Sequence, residues 1–179
     1  MTDDTKAKYH EVLYRLRLSV RYHQRRVRFF DAWDLWAKGL SVMAGTAAFA
    51  ALWKDSSQPY AALWFMAGIT GLTTISLVFG FSSKARLHSD LARKYLELES
   101  TVVTNITPTE QFLADVNGKV RVIEAQEPPP LGALITICQN ELARQEGHED
   151  HIVPVPFYQR WLAQFFDFEA PKPTSTLHN

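Results

Sequence analysis

Four consecutive residues, His148–Glu149–Asp150–His151, form the one cluster of potential metal ligands in the chain. Two imidazoles three residues apart with carboxylates between them have the donor types of a transition-metal site. The same run, placed after Gly147, is also what a polar loop between helices contains. That second reading is preferred, so no metal and no cofactor is expected. His23 and His88 each fall on an apolar helical stripe. There a polar ring packed into a helix seam is the simpler role and a pH sensor the sharper one. Cys138 lies among Leu134, Ile135 and Leu142 and reads as a small core residue. As the single cysteine, it allows neither an intramolecular disulfide nor a cysteine-based metal cluster. Arg21, Arg25, Arg26 and Arg28 present guanidinium groups that suit phosphate, either of lipid headgroups or of a nucleotide.

No glycine-rich phosphate loop, nucleophile elbow or zinc-binding helix motif occurs. The chain is therefore expected not to be an enzyme. Net charge is zero, but residues 1–38 carry nine basic and five acidic side chains, and most of the acidic excess lies after residue 105. That acidic part has the wrong sign for a phosphate backbone, so no nucleic-acid partner is expected.

The elements that position these residues are set by two uncharged runs, Gly39 to Trp53 and Ser56 to Ser83. The second far exceeds the ~18 apolar residues that indicate a membrane helix. Spans are expected at about 35–53 and 60–83, joined by the short turn Lys54 to Pro59 and edged by Trp33, Trp36, Trp53, Tyr60 and Trp64 as an aromatic belt. Ala37, Ser41 and Gly45 lie four apart, as do Ala67 and Gly71, then Ser76 and Gly80. Small residues at that spacing let helix backbones approach closely, within one hairpin or between copies. No ionisable residue falls in mid-span, which argues against a proton pump or an ion-coupled transporter. Lys38, Lys84 and Arg86 join the four arginines as headgroup contacts. Lys and Arg flank both outer ends while the turn holds Lys54 alone, which predicts both termini in the cytoplasm. The N-terminus shows no signal peptide, so the first span is expected to serve as its own insertion signal.

Outside the spans the pattern is helical throughout. Tyr9, Leu13, Leu16, Val20, His23, Val27 and Phe30 follow a 4, 3 alternation, as do His88, Leu91, Tyr95, Leu98 and Val102. A further helix carries Phe112, Leu113, Val116, Val120 and Ile123, with Thr107 as its expected N-cap and Gly118 weakening its middle. Another spans Leu131 to Arg144 and stops at Gly147. The expected fold is an all-α membrane protein: a basic amphipathic helix over 1–34, a transmembrane hairpin over 35–83, cytoplasmic helices over 84–147 and an aromatic tail over 148–179 with a disordered end. The tail either packs on the helices or lies on the membrane.

The order of a basic stretch at Arg21–Arg28, spans at Leu35–Trp53 and Tyr60–Ser83, and a helix at Lys84–Asn105 resembles the SLATT superfamily of bacterial two-span membrane proteins. The resemblance covers about residues 7–105 and is architectural, so it assigns no functional residue. It implies an inner-membrane effector, linked to nucleotide signalling, whose oligomers make pores that kill or arrest phage-infected cells. Membrane lipid, further copies of the chain, and a protein or nucleotide signal on the cytoplasmic side are the partners it implies. A membrane-anchored adaptor, whose cytoplasmic helices dock another protein, stays open as the alternative.

Overall fold

A heptad-like apolar seam that runs directly into an uncharged stretch, with no glycine or proline break between them, should form one helix. In the computed structural model it does: α1 spans Asp3–Lys54, and the expected boundary near residue 34 is absent. The structure describes residues 3–54, 59–105 and 107–168. The turn at 55–58, the side chain of Trp53 and the expected disordered end after 168 lie outside the described residues. The remaining helices are α2 (Pro59–Phe79), α3 (Phe81–Thr104), α4 (Glu110–Glu124), α5 (Gly132–Glu146) and α6 (Phe157–Leu162), with a 3-10 turn at Glu149–His151. The described residues are all-helical, without a strand. The chain divides into two compact units, one from Met1–Arg26 with His88–Asn179, the other from Val27–Leu87.

In the first unit, two apolar clusters lie around the first half of α1. On one side Leu13, Leu16 and Val20 pack with Leu91, Tyr95 and Val102 of α3 and with Leu113, Val116, Val120 and Ile123 of α4. These are the seam positions of the 4, 3 spacing, since only one stripe of each helix can be shielded from water. On the other side Tyr22 meets Ala133, Leu134, Ile137 and Cys138 of α5, together with Ala163. Cys138 is fully buried, in keeping with a core role. The buried Asn140 fastens the loop after α5: its amide donates to the Val153 carbonyl at 2.6 Å and its oxygen accepts from the Val153 amide at 2.9 Å.

Two local signals differ from expectation. The N-cap of α4 is Thr109 and not Thr107: Thr109 is extended, and its hydroxyl accepts from the Phe112 amide at 3.2 Å. Gly118 does not interrupt α4. Gly147 ends α5 in the left-handed conformation, with φ 79°, as the stop signal predicts.

In the second unit, α1 runs on from Val27 and is accompanied by α2 and the start of α3. The expected boundary between the second uncharged run and the next helix lies at Ser83. Instead the helix breaks at Gly80, which has φ 58°. A side chain at that φ costs about 1–2 kcal/mol, so the break needs a glycine. Taken across the break, Leu63–Thr104 is the one run among the described residues long and apolar enough to cross a membrane, and its most apolar stretch is not buried.

Candidate functional site

The small residues of α1 form a stripe because a four-residue step returns to nearly the same helix face. Ala37 is buried, and Ser41 and Gly45 are half-buried. A Cβ built on Gly45 would lie 3.9 Å from Ile69 Cδ1 of α2, so this stripe faces the neighbouring helix of the same chain. Ala37, Ser41, Ser76 and Gly80 line one groove of about 710 Å3, with Asp34, Lys38, Ser82, Ser83 and Arg86 also at its walls. Ala67 and Gly71 do not join it: both are exposed, and a Cβ on Gly71 would meet open space. The seven small residues thus separate into an inward set and an outward set. Thr70, Thr73 and Thr74 donate to backbone carbonyls one turn back, at 2.9, 2.9 and 2.7 Å, and so satisfy themselves.

Large apolar side chains face outward: Leu35, Trp36, Val42, Met43, Leu63, Trp64, Leu77 and Val78 are all exposed. At the base of the unit Trp33 stacks on Phe81 with ring centres 6.2 Å apart, and Lys84 Nζ lies 5.9 Å from the Phe30 ring centre. Lys38 pairs with Asp34, one turn back. Arg86 and Arg28 are exposed.

The other arginines expected at lipid headgroups have protein partners. Arg25 bonds Glu141, and Arg21 bonds Gln145. Arg26 donates to the Gln164 carbonyl at 2.7 Å. Arg15 reaches Glu124 at 2.5 Å, and Arg17 reaches Glu99 at 3.1 Å and Glu146 at 3.3 Å. The basic face of α1 therefore meets the acidic residues of α3, α4 and α5. The sequence shows the two opposite charge excesses, but not that they neutralise each other.

The second feature is a buried polar chain in the first unit. His23 of α1 and His88 of α3 are sealed from solvent, with their Nδ1 atoms 2.9 Å apart. His23 Nε2 lies 3.1 Å from Glu127 Oε1, and the Tyr95 hydroxyl donates to the same oxygen at 2.5 Å. Tyr95 also stacks on His23, with ring centres 5.7 Å apart. Hydrogen-bond logic fixes the protons. Glu127 can only accept, so His23 donates from Nε2; in neutral His23 the Nδ1 then accepts, and His88 donates its Nδ1–H. Two doubly protonated rings would place N–H against N–H. Burial, then the charges of His23 and Arg26, push His88 down from 6.5 to about 4, against the pull of Glu127. Burial acts to raise the Glu127 carboxyl, but the hydrogen bonds from His23 and Tyr95 outweigh it and hold Glu127 below its ordinary value. Burial, reinforced by the bond to Glu127, raises Tyr95 well above the usual phenol range. The chain ties α1, α3 and the connection after α4 into one register. Both histidines were legible as seam residues. Glu127, directly before Pro128, is not legible in that way, since its only signal is a carboxylate at the end of an apolar helix.

His148, Asp150 and His151 have ligand atoms within 4.8 Å of one another, and all three are exposed. His151 Nδ1 lies 3.4 Å from Asp150 Oδ1, so the residues pair among themselves on the turn.

No family model, no curated protein and no solved structure matches this chain.

Proposed function

We propose that this chain is a non-enzymatic membrane effector. Its spans, about 35–53 and 60–83, form a two-pass hairpin in the inner membrane with both termini cytoplasmic. Copies associate through the outward small residues Ala67 and Gly71, and the assembly makes the membrane leaky when the cytoplasmic helices release it. SLATT-like anti-phage defence is the setting that the order of elements fits. The observation that carries the proposal is the exposed apolar surface of α2. A side-chain layer with Leu63, Trp64, Leu77 and Val78 facing outward is unstable in water and stable in lipid. Open space beside Gly71 supports close approach of a second copy. One hairpin cannot enclose a pore, so the activity requires an oligomer. The adaptor reading draws support from the first unit, which has its own two cores and so is larger than an anchor needs.

The test is membrane potential on induced expression in bacteria, read with a potential-sensitive dye. The wild type is compared with Gly71→Leu at matched membrane abundance. Depolarisation by the wild type, abolished by Gly71→Leu, is the expected result. Depolarisation by both would remove α2 from the contact between copies. A retained potential with inserted wild-type protein would favour the adaptor.

A further inference from the structure

The segment after Pro156 reverses the usual order of burial. Its small residue Ala163 is fully buried, whereas Phe157 and Trp161 are 77% and 80% exposed. Tyr158, Leu162, Phe165 and Phe166 are exposed as well. These six are not scattered. The backbone coils through α6 and on to Phe166, with the Phe165 and Phe166 amides both bonded to the Leu162 carbonyl. Phe157, Trp161 and Phe165 stand four apart, and Tyr158, Leu162 and Phe166 form a second stripe beside them.

The segment is held from behind by other atoms. Ala163 enters the cluster of Tyr22, Leu134 and Cys138. The Gln164 carbonyl and side-chain oxygen accept from Arg26 at 2.7 and 3.1 Å. Asp167 accepts from the Gly132 amide at 2.9 Å. Arg160 is the one charged side chain of the coil, and it is exposed. A segment anchored through its small and polar groups, with its aromatic rings outward, is built to present those rings.

Lipid is the occupant that fits. A stable protein interface engages ~20–30 residues a side, far more than this face supplies. A headgroup layer needs no matching shape, favours Trp, Tyr and Phe, and accepts an arginine beside anionic phosphate. The anchoring residue Arg26 precedes Leu35, where the first span begins, by only nine residues. We propose that residues 157–166 form an interfacial membrane foot, with Phe157, Trp161 and Phe165 lodged among the headgroups and upper acyl chains of an anionic bilayer. The inference rests on the membrane reading above and adds a third lipid contact to the two spans.

The test uses the full-length protein in vesicles of phosphatidylcholine and phosphatidylglycerol whose acyl chains are brominated either near the headgroup or near the bilayer centre. Bromine quenches tryptophan fluorescence on contact. The wild type has five tryptophans, and subtracting the spectrum of Trp161→Phe isolates Trp161. Circular dichroism checks that the variant keeps its helices. The expected result is loss of most of the Trp161 signal with shallow bromines and little loss with deep ones. If Trp161 is unquenched while the four tryptophans of the variant are quenched, the foot is wrong and the spans stand. If no tryptophan is quenched, the membrane reading fails too. An unquenched, blue-shifted Trp161 signal that is lost on dilution would assign the face to a second copy and overturn the proposal.

Discussion

The two units treat their large aliphatic residues differently. In the first, Leu16, Leu91 and Tyr95 are fully buried, and arginines pair with glutamates around them. In the second, Ala37 is the buried residue of the small stripe on α1, while Leu35, Leu77 and Val78 are exposed. Both are built from helices with the same 3.6-residue period, and α1 contributes to both. On the membrane reading proposed above, the difference is the solvent each is made for. Water drives large apolar groups inward. In lipid that drive vanishes, and close contact between backbones decides what faces a neighbouring helix.

That contrast can be broken most strongly in the first unit. Leu16→Ala should destabilise it by about 2–5 kcal/mol, the range for a large buried aliphatic group replaced by alanine. Denaturant titration of the detergent-solubilised protein, followed by circular dichroism, would measure it. A value near zero would mean that the cluster around α1 is not a packed core.

Next comes pH. Unfolded His88 titrates near 6.5 and folded His88 near 4, so between those values the unfolded chain holds the extra proton. Stability should therefore be full above about pH 6.5 and fall as pH drops towards 4, by on the order of 3 kcal/mol. Glu127, held below its ordinary value, adds a further loss under more acidic conditions. His88→Asn should flatten the upper part of this profile in melts taken across that range. An unchanged profile would place the titration elsewhere.

Gly80→Ala should cost about 1–2 kcal/mol, because a Cβ at φ 58° is strained whatever the surrounding space. Least of all should change with Leu77→Ala, the counterpart of Leu16→Ala. Lipid is as apolar as leucine, so an effect within about 0.5 kcal/mol is expected in bilayers. A large loss would show that Leu77 packs against protein there.

Much of the first unit is visible in the sequence, because period alone identifies the buried stripe. The seam residues of α1 and α3 occupy the core, and the left-handed stop at Gly147 is where a glycine should be. Period says nothing of register between helices, which is why His23 and His88 could be placed on seams but not against each other. Nor does it reveal partners. The charge pattern does not show that Glu141 and Gln164 lie beside the arginines of α1. Ala163 is hidden for a different reason: within an aromatic run, the small residue is the last one expected to be the anchor. In the second unit, four-residue spacing finds the small stripes but cannot separate the inward Gly45 from the outward Gly71.

The long-range contacts of the α1 arginines also carry a schedule. Arg15 is paired with a residue 109 positions later in the chain, Arg25 with one 116 later and Arg26 with one 138 later. At ~5–20 residues per second, those partners leave the ribosome on the order of ten seconds after the arginines. For that interval the basic stretch is an unneutralised cationic block directly ahead of the first apolar run. Closure of the finished fold around the basic stretch thus waits for the acidic helices.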